Sequence, residues 1–209
     1  MTRRDIQVSL RSALLCLVLS AATIEGARAA GLAVRAEVVG GTTLLDRSFR
    51  DYQWDTTVRP GIGAIGLIEL GGLGAGARID LVETTQSLQP IAPRVRLSRR
   101  EMVLRATLIG AKDLRLFATG SYGWTRLEYA PARIDVGGET VELAPLRARS
   151  GSAGAGIEQS VGAVVFGLRA EAQFVRLATA HRRGDEEVRS EIWFTNRQVS
   201  LSLGWRLGL

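Results

Sequence analysis

Charged side chains recur at every second position in several segments of this sequence. Arg35 and Glu37 are separated by one alanine, and Arg78 and Asp80 by one isoleucine. Residues two apart share a face of a β-strand, so each pair of opposite charges lies together. An isolated buried charge is very costly, and charges on an enclosed face must therefore pair. The predicted ion-pair network consists of Arg35, Glu37, Arg78, Asp80, Glu101, Arg105, Arg115, Glu158, Arg169, Glu171 and Arg206.

Acid–base catalysis would need one of these carboxylates, or the single histidine, to be positioned for proton transfer. The spacing does not single out any carboxylate pair, Glu158 and Glu171 included. His181 has Ser190 and Glu191 nearby in sequence, but a Ser–His pair needs hydrogen-bond contact and an orienting acid. We therefore expect a solvated loop histidine and no catalytic residue. One histidine and one cysteine also predict no metal site, and no motif indicates a cofactor.

Arginine is also concentrated beside the long polar segments of the chain. A guanidinium group can bind phosphate through two parallel hydrogen bonds, which suits the phosphorylated headgroup of a lipid. The predicted lipopolysaccharide-facing rim consists of Arg94, Arg96, Arg99, Arg100, Arg147, Arg149, Arg182 and Arg183. Solvated loop arginines, balanced by acidic neighbours such as Asp46 and Asp185, are an equally good interpretation.

Eight segments are predicted to be strands, because apolar and polar residues alternate along most of them. They are 32–40, 57–70, 73–84, 95–109, 114–129, 148–160, 163–178 and 192–209. Short turns at 71–72, 110–113 and 161–162 contain the glycines typical of hairpins. Long polar loops are predicted at 41–56, 85–94, 130–147 and 179–191. The alternation breaks near Arg99 and Arg100, which predicts a bulge there.

The closing segment of the chain has one apolar and one polar face. Its apolar positions are Val199, Leu201, Leu203, Trp205, Leu207 and Leu209. An even number of strands, with short turns at one end and long loops at the other, is typical of a barrel whose apolar face contacts lipid. Apolar and polar residues also alternate along the strands of a soluble barrel, but there the apolar face points inward. Glycines on the polar face favour the narrow, filled interior of an eight-stranded membrane barrel.

Residues 1–29 are predicted to be an export signal peptide. Arg3, Arg4 and Arg11 precede a short apolar run, and Ala27-Arg28-Ala29 fits the small-x-small cleavage pattern. The apolar run is too short to span a membrane as a helix. Residues 30–209 then form a single domain, the barrel itself.

The chain is basic, with a formal net charge of +6 and only one lysine. A basic protein can bind nucleic acid, but an exported one rarely meets it. Anionic lipid headgroups are the better expectation for a partner.

The layout resembles that of the small eight-stranded bacterial outer-membrane barrels, the group that contains the OmpA transmembrane domain and the OmpX/Ail type. The resemblance covers residues 30–209, through the signal peptide, the alternating strands, the turn-and-loop pattern and the closing segment. That segment is similar to the signal read by the barrel-assembly machinery, although Leu209 stands where the family usually has an aromatic residue. The expected fold is all-β: a single eight-stranded antiparallel up-and-down transmembrane barrel with short periplasmic turns and long extracellular loops.

The resemblance implies a non-enzymatic protein of the bacterial outer membrane, with a role in envelope integrity, adhesion or lipopolysaccharide interaction. Its partners would be outer-membrane lipid and lipopolysaccharide, with the barrel-assembly machinery during biogenesis, and it would be monomeric. Two other functions stay open. A narrow channel for small solutes requires lumen charges that do not seal the barrel. A lipid A-modifying enzyme requires His181 or a carboxylate to act.

Overall fold

The computed structural model describes residues 31–87, 92–111, 113–136, 139–143, 145–183 and 186–208. The predicted signal peptide, 1–29, lies outside these described residues, as does Leu209 of the closing segment. Among the described residues, no helix has the length and apolar character needed to cross a membrane.

Eight long strands close into an antiparallel barrel, which confirms the predicted fold. The strands are β1 (Leu32–Leu44), β2 (Val58–Leu70), β3 (Leu73–Thr85), β4 (Arg94–Ala111), β5 (Leu114–Ala130), β8 (Leu146–Val161), β9 (Val164–Arg183) and β10 (Glu186–Gly208). Each strand pairs with its neighbour in the chain, apart from a two-stranded hairpin of β6 (Arg133–Val136) and β7 (Glu139–Glu142) between β5 and β8. The barrel closes where β1 pairs with β10, from Ala33 opposite Gly208 to Leu44 opposite Arg197.

Tight turns at one end of the barrel use glycine where the backbone requires it. Gly71, between β2 and β3, and Gly162, between β8 and β9, both have a φ of +61°. Residues with a Cβ rarely adopt this conformation, so glycine is the natural choice in a short hairpin.

The opposite end differs from the sequence prediction in three places. β1 continues to Leu44, past the predicted end at Gly40, and a short 3₁₀ helix, Arg47–Tyr52, follows it. The predicted loop 179–191 is wrong, because β9 and β10 stay paired up to Arg183 opposite Glu186. The register also puts Arg182 opposite Glu187, and facing residues of opposite charge favour a paired hairpin over a loop.

The predicted bulge at Arg99 and Arg100 is also wrong. The pairing of β3 with β4 runs through both residues without interruption, and the register shift between β4 and β5 lies instead between Thr107 and Ile109. Arg99 therefore keeps an inward position and Arg100 an outward one.

The two faces of the barrel have opposite character. Outward side chains are apolar and exposed, such as Leu201 at 66% and Met102 at 68%, whereas inward Arg35 and Arg78 are each 1% exposed. A soluble barrel has the reverse arrangement, so this is the architecture of a barrel surrounded by apolar solvent. The described apolar residues of the closing segment all point outward: Val199, Leu201, Leu203, Trp205 and Leu207.

Glycines on the inner face let neighbouring strands and side chains approach closely. A Cβ added at Gly76 on β3 would overlap the carbonyl oxygen of Gly66 on β2, whereas a Cβ at Gly66 would meet nothing within 4 Å. The two glycines lie on adjacent strands, with Gly76 facing the lumen and Gly66 facing outward, and packing requires glycine only at Gly76.

This contrast gives a matched pair of substitutions. Gly76→Ala should lower the free energy of unfolding by about 1–3 kcal/mol, because the added methyl group forces β2 and β3 apart. Gly66→Ala should have little effect or stabilise the barrel slightly. Urea unfolding of both variants, refolded in lipid vesicles, measures the difference. Equal stability of the two variants would contradict the packing.

Candidate functional site

The barrel lumen contains two clusters of ion pairs on the inward positions of the strands. The lower cluster lies toward the tight turns and consists of Arg35, Glu37, Glu69, Arg105, Arg115, Glu158 and Arg206. The upper cluster lies toward the other end and consists of Arg78, Asp80, Arg99, Glu101, Arg169 and Glu171. All but Arg115 and Arg206 are buried, and those two are half-buried.

Glu158 on β8 is the centre of the lower cluster. Oε2 of its carboxylate lies 2.6 Å from Nη2 of Arg35 on β1, and the carboxylate also forms an ion pair with Arg105 on β4. Arg115 approaches to 3.9 Å. Arg35 in turn pairs with Glu37 and lies 3.6 Å from Glu69. One buried carboxylate thus joins strands from opposite sides of the barrel.

Arg78 on β3 is the centre of the upper cluster. Its guanidinium lies 2.5 Å from carboxylate oxygens of both Asp80 and Glu171, the latter across the lumen on β9. Arg99 pairs with the same oxygen of Asp80, Oδ2, and Nη2 of Arg78 donates to the side-chain oxygen of Gln198.

Glu101 completes the upper cluster. It lies 3.6 Å from Arg99 and accepts hydrogen bonds from the hydroxyls of Ser121 and Ser150. Each carboxylate of both clusters therefore has at least one arginine against it.

The structure thus brings together the predicted network residues and adds two that the sequence prediction missed. Arg99 was predicted for the rim but lies inside, because the alternation through β4 is unbroken. Glu69 was missed because β2 is apolar on both faces, which left its register undetermined from sequence.

An apolar cap covers the upper cluster at the end of the barrel opposite the tight turns. It consists of Leu45, Phe49, Trp54, Val82, Val95, Leu97, Leu127, Ala148, Val175, Leu177 and Phe194. Phe49, on the 3₁₀ helix, stacks between Trp54 and Phe194, with ring centroids 4.6 Å and 3.9 Å apart. The first connecting loop therefore folds into the barrel mouth. The sequence signal for this cap was the presence of three aromatic residues, Phe49, Tyr52 and Trp54, in a segment predicted to be polar.

Hydrogen bonds from β10 hold the capping loop in place. The backbone N–H of Asp46 donates to Oδ1 of Asn196 at 3.0 Å, and Oδ2 of Asp46 accepts from the N–H of Thr195 at 2.7 Å. Oδ1 of Asp46 accepts from the N–H of Ser48 and so caps the 3₁₀ helix. Partial burial acts to raise the pKa of Asp46, but the hydrogen bonds from Ser48 and Thr195 outweigh it and hold that pKa below its usual value.

The other end of the same loop is held by β3. The N–H of Asp55 donates to the carbonyl of Thr85 at 2.9 Å, and the hydroxyl of Thr84 donates to the carbonyl of Asp55 at 2.6 Å. Trp54 forms an isolated bridge with Gln86. The loop is therefore fixed at both of its ends.

The space between the cap and the upper cluster is small. A cavity of about 20 Å³ lies there, with Thr43, Asp80, Arg99, Thr125 and Asn196 among its lining residues. This volume accommodates about one water molecule. The upper lumen is therefore filled by side chains.

The predicted rim residues are divided among several environments. Arg94, Arg96 and Arg100 on β4 point outward, as do Arg147 and Arg149 on β8. Arg96 pairs with Glu83 at 2.8 Å. The backbones of Arg182 and Arg183 belong to β9, as does that of His181, which was predicted to lie in a loop. The side chains of these three residues are outside the described part of the structure.

Within the described residues, no group of three His, Cys, Asp or Glu side chains could hold a metal ion. The arrangement therefore offers charge pairing, exclusion of water and an apolar outer surface as its physical properties.

Comparisons with known proteins find distant structural likenesses only. No family model and no curated protein matches the sequence. The chain is similar to Ail, the attachment invasion locus protein of Yersinia pestis in complex with the heparin analogue sucrose octasulfate, with 11% identity, 85% of this chain and 99% of that chain covered, and a TM-score of 0.48. The N-terminal barrel domain of Pseudomonas aeruginosa OprF is 9% identical, with 80% of this chain and 96% of that chain covered and a TM-score of 0.35. The outer membrane protein AlkL in DMPC bilayers is 12% identical, with 88% of this chain and 93% of that chain covered and a TM-score of 0.39. These likenesses are too distant to carry an argument about function.

The lower cluster predicts a large effect of removing one buried charge. Glu158→Gln should lower the free energy of unfolding by about 3–5 kcal/mol, because it leaves Arg35 and Arg105 without their shared carboxylate. Glu128→Gln removes the partner of exposed Arg126 and should cost no more than about 1 kcal/mol. Urea unfolding in lipid vesicles compares the two, and a similar small loss in both variants would refute the pairing.

The docked loop should respond to acid through Asp46. Its pKa is lower in the docked loop than in the unfolded chain, so the carboxylate stabilises docking fully above the unfolded pKa of about 4. This stabilisation is lost as the pH falls through the lower, docked pKa. The near-ultraviolet circular dichroism of the stacked aromatics should show this acid transition. Asp46→Asn should weaken the aromatic signal at neutral pH and remove the part of its acid dependence that is due to Asp46. An identical acid transition in the parent and in the variant would contradict the assignment.

Proposed function

We propose that this chain is a bacterial outer-membrane barrel with a sealed lumen and a structural or cell-surface role, in envelope integrity, adhesion or lipopolysaccharide interaction. The observation that carries the proposal is the apolar outer wall. Large apolar side chains, among them Val38, Ile62, Ile79, Leu201 and Leu207, are more than half exposed around the barrel. Contiguous apolar surface on this scale is unfavourable in water and is stabilised by lipid.

A closed sheet suits a membrane because it leaves no unpaired strand edge in the hydrocarbon. β1 and β10 pair over their whole shared length, so the backbone groups of the barrel are satisfied internally. No second copy is needed for closure, which supports a monomer. The outward-facing closing segment on β10 also supports recognition by the barrel-assembly machinery.

The filled lumen supports a structural role over transport. The two ion-pair clusters occupy the interior of the barrel, and the apolar cap closes one end. A small solute could cross only if arginine–carboxylate pairs separated in a space too narrow to hydrate them. A narrow porin-like channel is the alternative function, and it requires that separation.

A non-enzymatic role is part of the same proposal. The described lumen carboxylates are held by arginines, so none is placed to exchange a proton with a substrate. A lipid A-modifying activity would instead depend on His181, on the hairpin of β9 and β10. Mass spectrometry of lipid A from cells expressing the parent or His181→Ala tests that alternative.

Ion conductance tests the sealed lumen. Residues 30–209, refolded in a planar bilayer, should show no steady conductance, with heat-dependent gel mobility as the control for folding. A variant with Phe49→Ala and Trp54→Ala opens the cap, but it should also remain closed because the ion-pair clusters fill the lumen below. Reproducible small channels from the folded parent would contradict the seal and favour the porin-like alternative.

A further inference from the structure

Arginines and tryptophans lie together in one row of the outer wall, at facing positions of neighbouring strands. The row follows the sheet pairing from β3 to β10, through Ile79, Arg100, Trp124, Arg149, Arg176 and Trp193. Arg100 and Arg149 stand on either side of Trp124, whose ring is 47% exposed. These arginines therefore lie on the outside of the barrel, away from both lumen clusters.

Like charges face each other across the sheet in this region. Arg149 on β8 faces Arg176 on β9. The register therefore brings further positive charge to the outer wall beside Trp124.

Neighbouring outer-wall arginines have their own carboxylates, but the two beside Trp124 do not. Arg96 pairs with Glu83 at 2.8 Å and Arg126 with Glu128 at 2.9 Å. In the described part of the chain, Arg100 and Arg149 are exposed and have neither an ion pair nor a side-chain hydrogen bond. Their donors are directed to the surroundings of the barrel.

The position of these arginines matches the boundary between hydrocarbon and headgroups. Toward the tight turns, the next outward residues are Met102 on β4 and Tyr122 on β5, at 68% and 58% exposure. Toward the barrel mouth, the outward positions carry the charged residues Arg96 and Arg126. Tryptophan and tyrosine are enriched at such boundaries, which fits Trp124 and Trp193.

We propose that Arg100, Arg147, Arg149 and Arg176 form an outer-wall arginine site around Trp124, and that this site binds a phosphate group of the phosphorylated glycolipid of the outer leaflet. The proposal rests on the proposed function, which places this end of the barrel in that leaflet. Guanidinium forks bind phosphate bidentately. The acyl chains of the same lipid then lie along the apolar wall at Met102 and Tyr122.

The guanidinium of Arg147 strengthens the site by its placement. It lies 4.7 Å from the centre of the Trp124 ring, which fixes it over the indole face. Arg176 is placed in a similar way over Trp193, at 5.7 Å. The aromatic rings thus hold two of the four cations in position before a lipid binds. The site shares Arg100, Arg147 and Arg149 with the rim predicted from sequence. It adds Arg176 and leaves out Arg94, Arg96, Arg99, Arg182 and Arg183.

The test compares two double variants of the full mature chain, each losing two exposed outer-wall arginines. R100Q/R149Q removes the pair beside Trp124, and R96Q/R126Q removes arginines that have carboxylate partners. Binding of lipid A with both phosphates, and of lipid A with both removed, is measured in detergent micelles by microscale thermophoresis. The parent should bind the phosphorylated form more tightly. R100Q/R149Q should weaken that binding about tenfold or more, because it loses charge-assisted hydrogen bonds. R96Q/R126Q should weaken it no more than about threefold.

Three outcomes would overturn the site. Unchanged affinity of folded R100Q/R149Q for phosphorylated lipid A would show that Arg100 and Arg149 do not bind the phosphate. An equal loss in R96Q/R126Q would show general electrostatic attraction. Competition by phosphatidylglycerol as effective as that of lipid A would exclude the glycolipid as the specific ligand. Each leaves the proposed function standing if the parent inserts into vesicles with heat-modifiable mobility, whereas failure of the parent to insert would refute the proposed function itself.

Discussion

Pairing of buried charges across a narrow lumen is the constraint on which the rest of this structure depends. Arg35 on β1 meets Glu158 on β8, and Arg78 on β3 meets Glu171 on β9, so each pair joins strands that are not neighbours in the sheet. Desolvation offsets much of the attraction in such pairs. Their main effect is to make alternative strand registers costly, because those registers would leave buried charges without partners. A register slip of one residue would turn the arginines toward lipid and the outer-wall leucines into the lumen. The ion pairs therefore specify the register that the apolar outer wall also requires.

The same alternation explains how far the sequence predicts the fold. Spacing of two identified the strands and most lumen residues, because most inward charges lie between outward apolar neighbours. This spacing does not determine which residues of β2 point inward, because β2 has apolar residues on both faces. Glu69 was therefore missed. The hairpin of β9 and β10 was predicted to be a loop because its residues are polar on both faces, although its facing charges are complementary. The apolar cap depends on a loop that folds back into the barrel mouth, and its contacts with β10 are 149 and 150 residues apart in the chain.

The arginines show why residue type alone does not locate a site. Adjacent in sequence, Arg99 and Arg100 lie on opposite sides of the barrel wall, one within an ion-pair cluster and the other beside Trp124. Arg149 and Arg176 come from different strands and meet only through the sheet register. Inward arginines pair with carboxylates in the lumen, whereas outward Arg100 and Arg149 have no ion pair in the described part of the chain. A single strand thus contributes both to an ion-pair cluster and to the outer wall.

The central claim is that lipid covers the apolar outer wall of the barrel and not its interior. The most direct test is quenching of tryptophan fluorescence by lipids with brominated acyl chains. Single-tryptophan variants that retain either Trp205, on the outer wall, or Trp54, in the apolar cap, are refolded into the same vesicles. The account predicts strong quenching of Trp205 and little quenching of Trp54, with aqueous iodide leaving Trp205 unaffected. Quenching of Trp205 by iodide, with none by brominated chains, would contradict a membrane-facing outer wall.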